Sequence, residues 1–167
     1  MTAATDPNTL TPTVATAEVH PSTAALDGHP LHPSVVPLPI GMLTAAALSD
    51  VAQIMTGERF FSRASRWLLG GGIVSGALAA SLGLIDFSTI RAARSPVGVA
   101  HAGGNAAVLG MSVVSLLLRR RSRGTPGPAA MLTLVAALLL AVTGWLGGEL
   151  SYRQRVGVLP SEPPGRS

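Results

Sequence analysis

Four apolar stretches organise this chain, at residues 37–56, 67–86, 97–118 and 129–148. Each is about long enough to cross a bilayer as a helix, because roughly 20 apolar residues at about 1.5 Å rise match a hydrocarbon core of about 30 Å. A helix of a soluble bundle carries a charged outer face, and these segments have none. The pattern therefore predicts helices surrounded by lipid. The segments between them are short, so consecutive helices should be antiparallel neighbours. The predicted fold class is all-α: an integral membrane antiparallel four-helix bundle over residues 28–158. A disordered N-terminal tail over 1–27 precedes it and a loose tail over 159–167 follows.

Local punctuation sharpens the boundaries. Residues 1–27 are rich in Thr, Ala and Pro, with neither the basic nor the apolar region of a signal peptide. In GHPLHPSVVPLPIG, Pro30, Pro33, Pro37 and Pro39 favour an extended approach to the first helix. Gly57 is the expected helix stop, and GERFFSRASR the expected basic connector to the second helix. That second helix holds Gly70, Gly71, Gly72, Gly76 and Gly83. Its Gly72–Gly76 pair suits close packing inside the bundle better than dimerisation. GTPGP breaks the chain before the fourth helix.

Composition agrees with a membrane setting. Apolar residues make up 47% of the chain and charged ones 12%, against roughly 25% charged in soluble domains. All 12 positive charges are arginines, grouped mainly at segment ends rather than in a groove-sized patch. They read as topology signals, with no nucleic-acid partner implied. Arg59, Arg63, Arg66, Arg119, Arg120, Arg121 and Arg123 fall on one side, and Arg91, Arg94, Arg153 and Arg155 on the other. The positive-inside bias then places both termini outside the cytoplasm of a multi-pass cell-membrane protein. The absence of cysteine excludes disulfides, thiolate metal sites and iron–sulfur ligation.

With four crossings, His29, His32, Asp86, His101 and Glu149 fall at one face of the membrane. Asn105 is one helical turn after His101, and Ser112 and Ser115 continue that stripe. Polar stripes in membrane helices face the bundle interior. Imidazole and carboxylate together suit a transition metal, and His29, His32, Asp86, His101 and Glu149 are the candidate ligands. Two of His29, His32 and His101 would instead suit a b-type haem, which needs no cysteine. The plain structural alternative has His101 bonded to Glu149 or Asp86 and His32 capping the first helix. Asp50 and Gln53 share a face nearer the other side, where Arg59, Arg63 or Arg66 would neutralise Asp50 by snorkelling. Arg91 and Arg94 are the expected partners of Asp86 or of anionic headgroups, and Tyr152 an interfacial anchor. His20 is expected to be exposed in the tail. No phosphate-binding loop, HExxH or nucleophile elbow is present, so no catalytic residue is identified.

The blocks at residues 26–41 and 83–86, Asp50, the run leading to His101 and Asn105, and GWLGGELSYRQRVGV at 144–158 carry a resemblance. They are similar to an uncharacterised bacterial membrane-domain family, domain of unknown function 2231. The resemblance implies a four-helix integral membrane protein. Some members are fused to a Rieske iron–sulfur domain, and the domain has been compared with two-haem cytochrome b-type proteins. It thus points to His29, His32 and His101, with Asp86, Glu149 and Asn105 around them, as a redox site. This chain has no cysteine to hold a Rieske cluster, and only four histidines, one of them in the expected tail, so two bis-histidine haems would need other ligands.

Three functions remain. The first is electron transfer at an extracytoplasmic haem or metal centre, beside a redox protein. The second is a non-catalytic scaffold or membrane subunit, alone or as a homo-oligomer. The third is conduction of protons or small solutes through Asp50, Asp86 and Glu149.

Overall fold

The computed structural model describes residues 18–121 and 127–159. A two-residue ribbon, β1 (Ala25–Leu26) and β2 (His29–Pro30), leads into a short helix α1 (Leu31–Val35). The long helices are α2 (Pro37–Thr56), α3 (Arg59–Thr89), α4 (Pro96–Arg121) and α5 (Gly127–Gly148). A 3₁₀ turn at Arg91–Arg94 joins α3 to α4, and a π turn at Glu149–Arg153 ends α5. Four helical segments are long and apolar enough to cross a membrane: Leu31–Thr56, Arg59–Thr89, Pro96–Arg120 and Gly127–Arg153.

Two antiparallel hairpins build the bundle. Helix α2 packs chiefly on α3, and α4 on α5, with lighter contacts between α3 and α4 and between α5 and α2. Helices α2 and α4 therefore lie diagonally across the bundle. Proline begins α2 at its first turn, where its missing N–H costs nothing. Gly57 ends it in the left-handed region at φ 73°, with its N–H donating to Gln53 O at 2.8 Å. The segment 59–66, expected as a connector, is the first part of α3 instead. It contains neither Gly nor Pro, so nothing stops the helix from starting directly after Glu58.

Small side chains bring the helices together. A Cβ on Gly72 would lie 2.6 Å from Leu43 Cδ2, and one on Gly76 would lie 2.7 Å from Leu109 Cδ2. The Gly72–Gly76 pair is thus spent inside the bundle. Leu43, Ala46, Leu69, Val108, Ala136 and Leu140 form the central apolar layer. Large apolar side chains such as Leu48, Val74, Leu84 and Leu138 point outward. This inverted exposure suits lipid, which solvates apolar surface as well as a protein interior does. Trp67 marks one rim, and Trp145 and Tyr152 the other; all three are exposed.

Residues 20–24, expected in the tail, lie against the bundle as a strap. His20 N donates to Arg155 O at 3.0 Å, and Gly157 N donates to His20 O at 2.8 Å. His20 is partly buried, in a bridge with Val156. Farther along the strap, Ala24 is buried. Residues 1–17 of the expected N-terminal tail, and 160–167 of the C-terminal one, lie outside the described residues.

Candidate functional site

The five candidate ligands share one end of the bundle but separate into distinct groups. Asp86, in the last turn of α3, anchors the strap. Its carboxylate accepts from Ser22 Oγ at 2.8 and 2.9 Å, Thr23 N at 2.8 Å and Ala24 N at 3.1 Å. The expected partners of Asp86 lie elsewhere. Arg94 donates to the backbone carbonyls of Phe87, at 3.1 Å, and Ser88, while Arg91 is exposed. Glu149 faces Arg153, with Nη1 3.3 Å from Oε1. His29 is exposed, and its Nδ1 lies 3.0 Å from Asp27 O. Among the described residues, no three His, Asp or Glu side chains are gathered as a metal-ion site. Charge and hydrogen-bond demand explain the separation: each carboxylate is satisfied by neighbours in its own segment or by the strap.

His32 and His101 form the remaining group. His32 precedes α2 and places its Nδ1 2.8 Å from Ala79 O on α3. His101, on α4, places its Nδ1 2.9 Å from Thr143 O on α5. Neither Glu149 nor Asp86 serves His101. A carbonyl oxygen only accepts, so each Nδ1 carries the proton and donates it. In the neutral ring, Nε2 then keeps a lone pair. Backbone tethering of one imidazole nitrogen is how metal-ligating histidines are oriented.

Glycines make these positions available. A Cβ on Gly83 would lie 2.9 Å from His32 Cε1, and one on Gly147 would lie 3.0 Å from His101 Cε1. Each ring thus lies over a glycine one helical turn after the carbonyl that holds it. Asn105 supports the α4–α5 side: its Nδ2 donates to His101 O at 2.8 Å, and its Oδ1 accepts from Thr143 Oγ1 at 3.2 Å.

A profile described as "Predicted membrane protein (DUF2231)" matches residues 28–160. The chain belongs to this family. It is a membrane protein with four candidate spans. No curated protein and no solved structure matches it. The matched region contains both tethered imidazoles, both glycine cradles and the buried charges described next.

At the opposite end, Asp50 on α2 pairs with Arg119 on α4, not with Arg59, Arg63 or Arg66. Nη2 lies 2.5 Å from Oδ2, and Nη1 2.8 Å from Oδ1. Arg119 also donates to Thr133 Oγ1 at 2.9 Å and from Nε to Ser115 Oγ at 3.2 Å. Ser115 in turn donates to Ala129 O at 2.7 Å. The guanidinium prefers the buried carboxylate because a charge in an apolar interior must be paired. Arg119 looked like one of a terminal cluster, so its role is not evident from its neighbours in sequence. Gln53 Oε1 and Ser65 Oγ are buried without a partner.

Proposed function

We propose that this protein carries an electron-transfer centre at the end of the bundle bearing His32 and His101, with a b-type haem or a transition metal as cofactor. The observation that supports this reading is the paired tethering of the imidazoles: both Nδ1 atoms donate to backbone carbonyls, so each Nε2 keeps a lone pair able to ligate a metal, with Asn105 Nδ2 3.4 Å from that of His101. The donor set fits a haem iron, which takes two imidazoles. It fits less well an ion needing His29, Asp86 and Glu149 as further ligands, because those groups have other partners. The cofactor would supply reversible one-electron chemistry. The chain would orient the ligands and keep the centre among apolar helices.

The arginine distribution supports a cell-membrane location with this end extracytoplasmic, so a redox partner would approach from that side. His29, Pro33, Ser34, Ser151 and Tyr152 line an open groove there, a surface suited to such a partner. A membrane-subunit reading draws on a second groove along α5, lined by Gly144, Trp145, Gly148 and Tyr152. Conduction has less support. The layer of Leu43, Leu69, Val108 and Leu140 lies between the His101–Asn105 end and the Asp50–Arg119 pair.

The test is a visible spectrum with metal analysis of full-length protein, purified in detergent from cells supplied with haem and iron. A Soret band or a bound transition metal is expected. Colourless, metal-free protein would reject the proposal, and a stoichiometric co-purifying membrane protein in that case would favour the subunit reading.

A further inference from the structure

The two hairpins repeat one another at many of their buried positions. Along α2 and α4 the counterparts are 69 positions apart, the separation of Asp50 from Arg119. Buried Pro39, Leu43, Ala46 and Asp50 correspond to buried Val108, Ser112, Ser115 and Arg119. The identical pairs His32 and His101, Gly41 and Gly110, and Met42 and Met111 fall in the same register. Along α3 and α5, buried Ser65, Leu69, Gly72, Gly76 and Ala79 correspond to buried Ala129, Thr133, Ala136, Leu140 and Thr143. Leu82-Gly83 recurs as Leu146-Gly147 in that second register.

This correspondence extends to the chemistry. The carbonyls that tether the two imidazoles, on Ala79 and Thr143, are counterparts. So are the glycines beneath the rings, Gly83 and Gly147. Both hairpins run in the same sense, and the lighter contacts recur between α3 and α4 and between α5 and α2. Exchange of the hairpins therefore approximates a two-fold rotation about the bundle axis, the parallel type of internal repeat seen in membrane proteins.

We infer that one metal centre sits on this pseudo-twofold axis, ligated by Nε2 of His32 and Nε2 of His101 together. The inference rests on the cofactor reading above and adds the coordination number, the stoichiometry and the equal standing of the two ligands. Two rings presented by one local device at the same end of the bundle, one from α1 just before α2 and one from α4, suit a shared centre. Haem iron held this way is six-coordinate with two imidazoles and low-spin.

The experiment titrates haemin into full-length, detergent-purified wild type, H32A and H101A, with copper and iron salts as a separate arm. Absorption and electron paramagnetic resonance report the spin state, and metal analysis the stoichiometry. Wild type should take one haem per chain as a low-spin species. Either substitution should abolish that species to the same extent, and added imidazole should restore it in both. A merely structural role would not give imidazole rescue of the spin state, and size-exclusion profiles check that the variants remain folded. One bare ion per chain, dependent on both histidines and lacking a Soret band, would support the shared site with a haem-free source. Two centres per chain, or a low-spin species surviving either single substitution, would overturn the inference while leaving the cofactor reading intact. Wild type that binds neither haem nor metal would overturn both.

Discussion

Asp50 and Arg119 close a bidentate ion pair across the bundle, at 2.5 and 2.8 Å, and each stands at the same sequence separation from the imidazole of its own hairpin, His32 or His101. The pair therefore joins equivalent positions of the two repeats. It is a direct side-chain link between the diagonal helices α2 and α4, at the end opposite the imidazoles.

Breaking that link should be costly. D50N or R119A leaves a buried polar or charged group without its partner, which typically costs about 3–5 kcal/mol. Thermal unfolding in detergent should show a clear drop for either variant. The double replacement D50L with R119M should recover most of the loss, since apolar substitution of a whole buried pair is often neutral. Equal stability of wild type and R119A would contradict the assigned role.

The strap should depend on Asp86. Hydrogen bonds to a charged acceptor are each worth about 1.5–3 kcal/mol, and Ser22, Thr23 and Ala24 all donate to this carboxylate. D86A should free residues 22–24 while leaving the four-helix core assembled. Hydrogen exchange of the Thr23 and Ala24 amides should speed up markedly, with little change in exchange along α4 and α5. Unchanged protection at these amides would count against the anchoring role.

Glycine substitutions should divide by position. G83A and G147A put a methyl within about 3 Å of an imidazole, which displaces the ring and costs about 1–3 kcal/mol in overpacking. G70A meets nothing within 4 Å and should be neutral or stabilising by up to about 1 kcal/mol, because alanine loses less backbone freedom. Unfolding temperatures of the three variants check the ranking. Equal behaviour of all three would remove the cradle argument.

Orientation is measurable because the chain has no native cysteine. A cysteine at position 61 should resist an impermeant thiol reagent in intact cells, and one at position 20 should react. The opposite labelling pattern would place both termini in the cytoplasm.

Much of the fold was legible from pattern alone. Four apolar runs of bilayer length, separated by short polar segments, fix the number of crossings because a backbone in lipid must satisfy its hydrogen bonds internally, as a helix does. The same count placed His29, His32, Asp86, His101 and Glu149 at one end. The start of α3 at Arg59 was less legible, since a basic segment without breakers reads equally as loop or helix.

Which polar groups meet was a different matter. The polar stripe His101, Asn105, Ser112, Ser115 continues to Arg119, a helical turn farther on, yet Arg119 looked like part of a basic terminus. The internal repeat also left a sequence trace in the two Gly-Met pairs that follow His32 and His101 and in the two Leu-Gly pairs, but its other positions share burial rather than residue type. Hydropathy determined how many membrane-length helices there are and which end each polar group occupies, because transfer into lipid depends on local composition. Only the tertiary structure decided that Asp86 holds the strap, that Asp50 takes Arg119, and that His32 and His101 are counterparts. Those choices depend on helix rotation and diagonal proximity, which arise when two hairpins pack through small residues and which no single segment encodes.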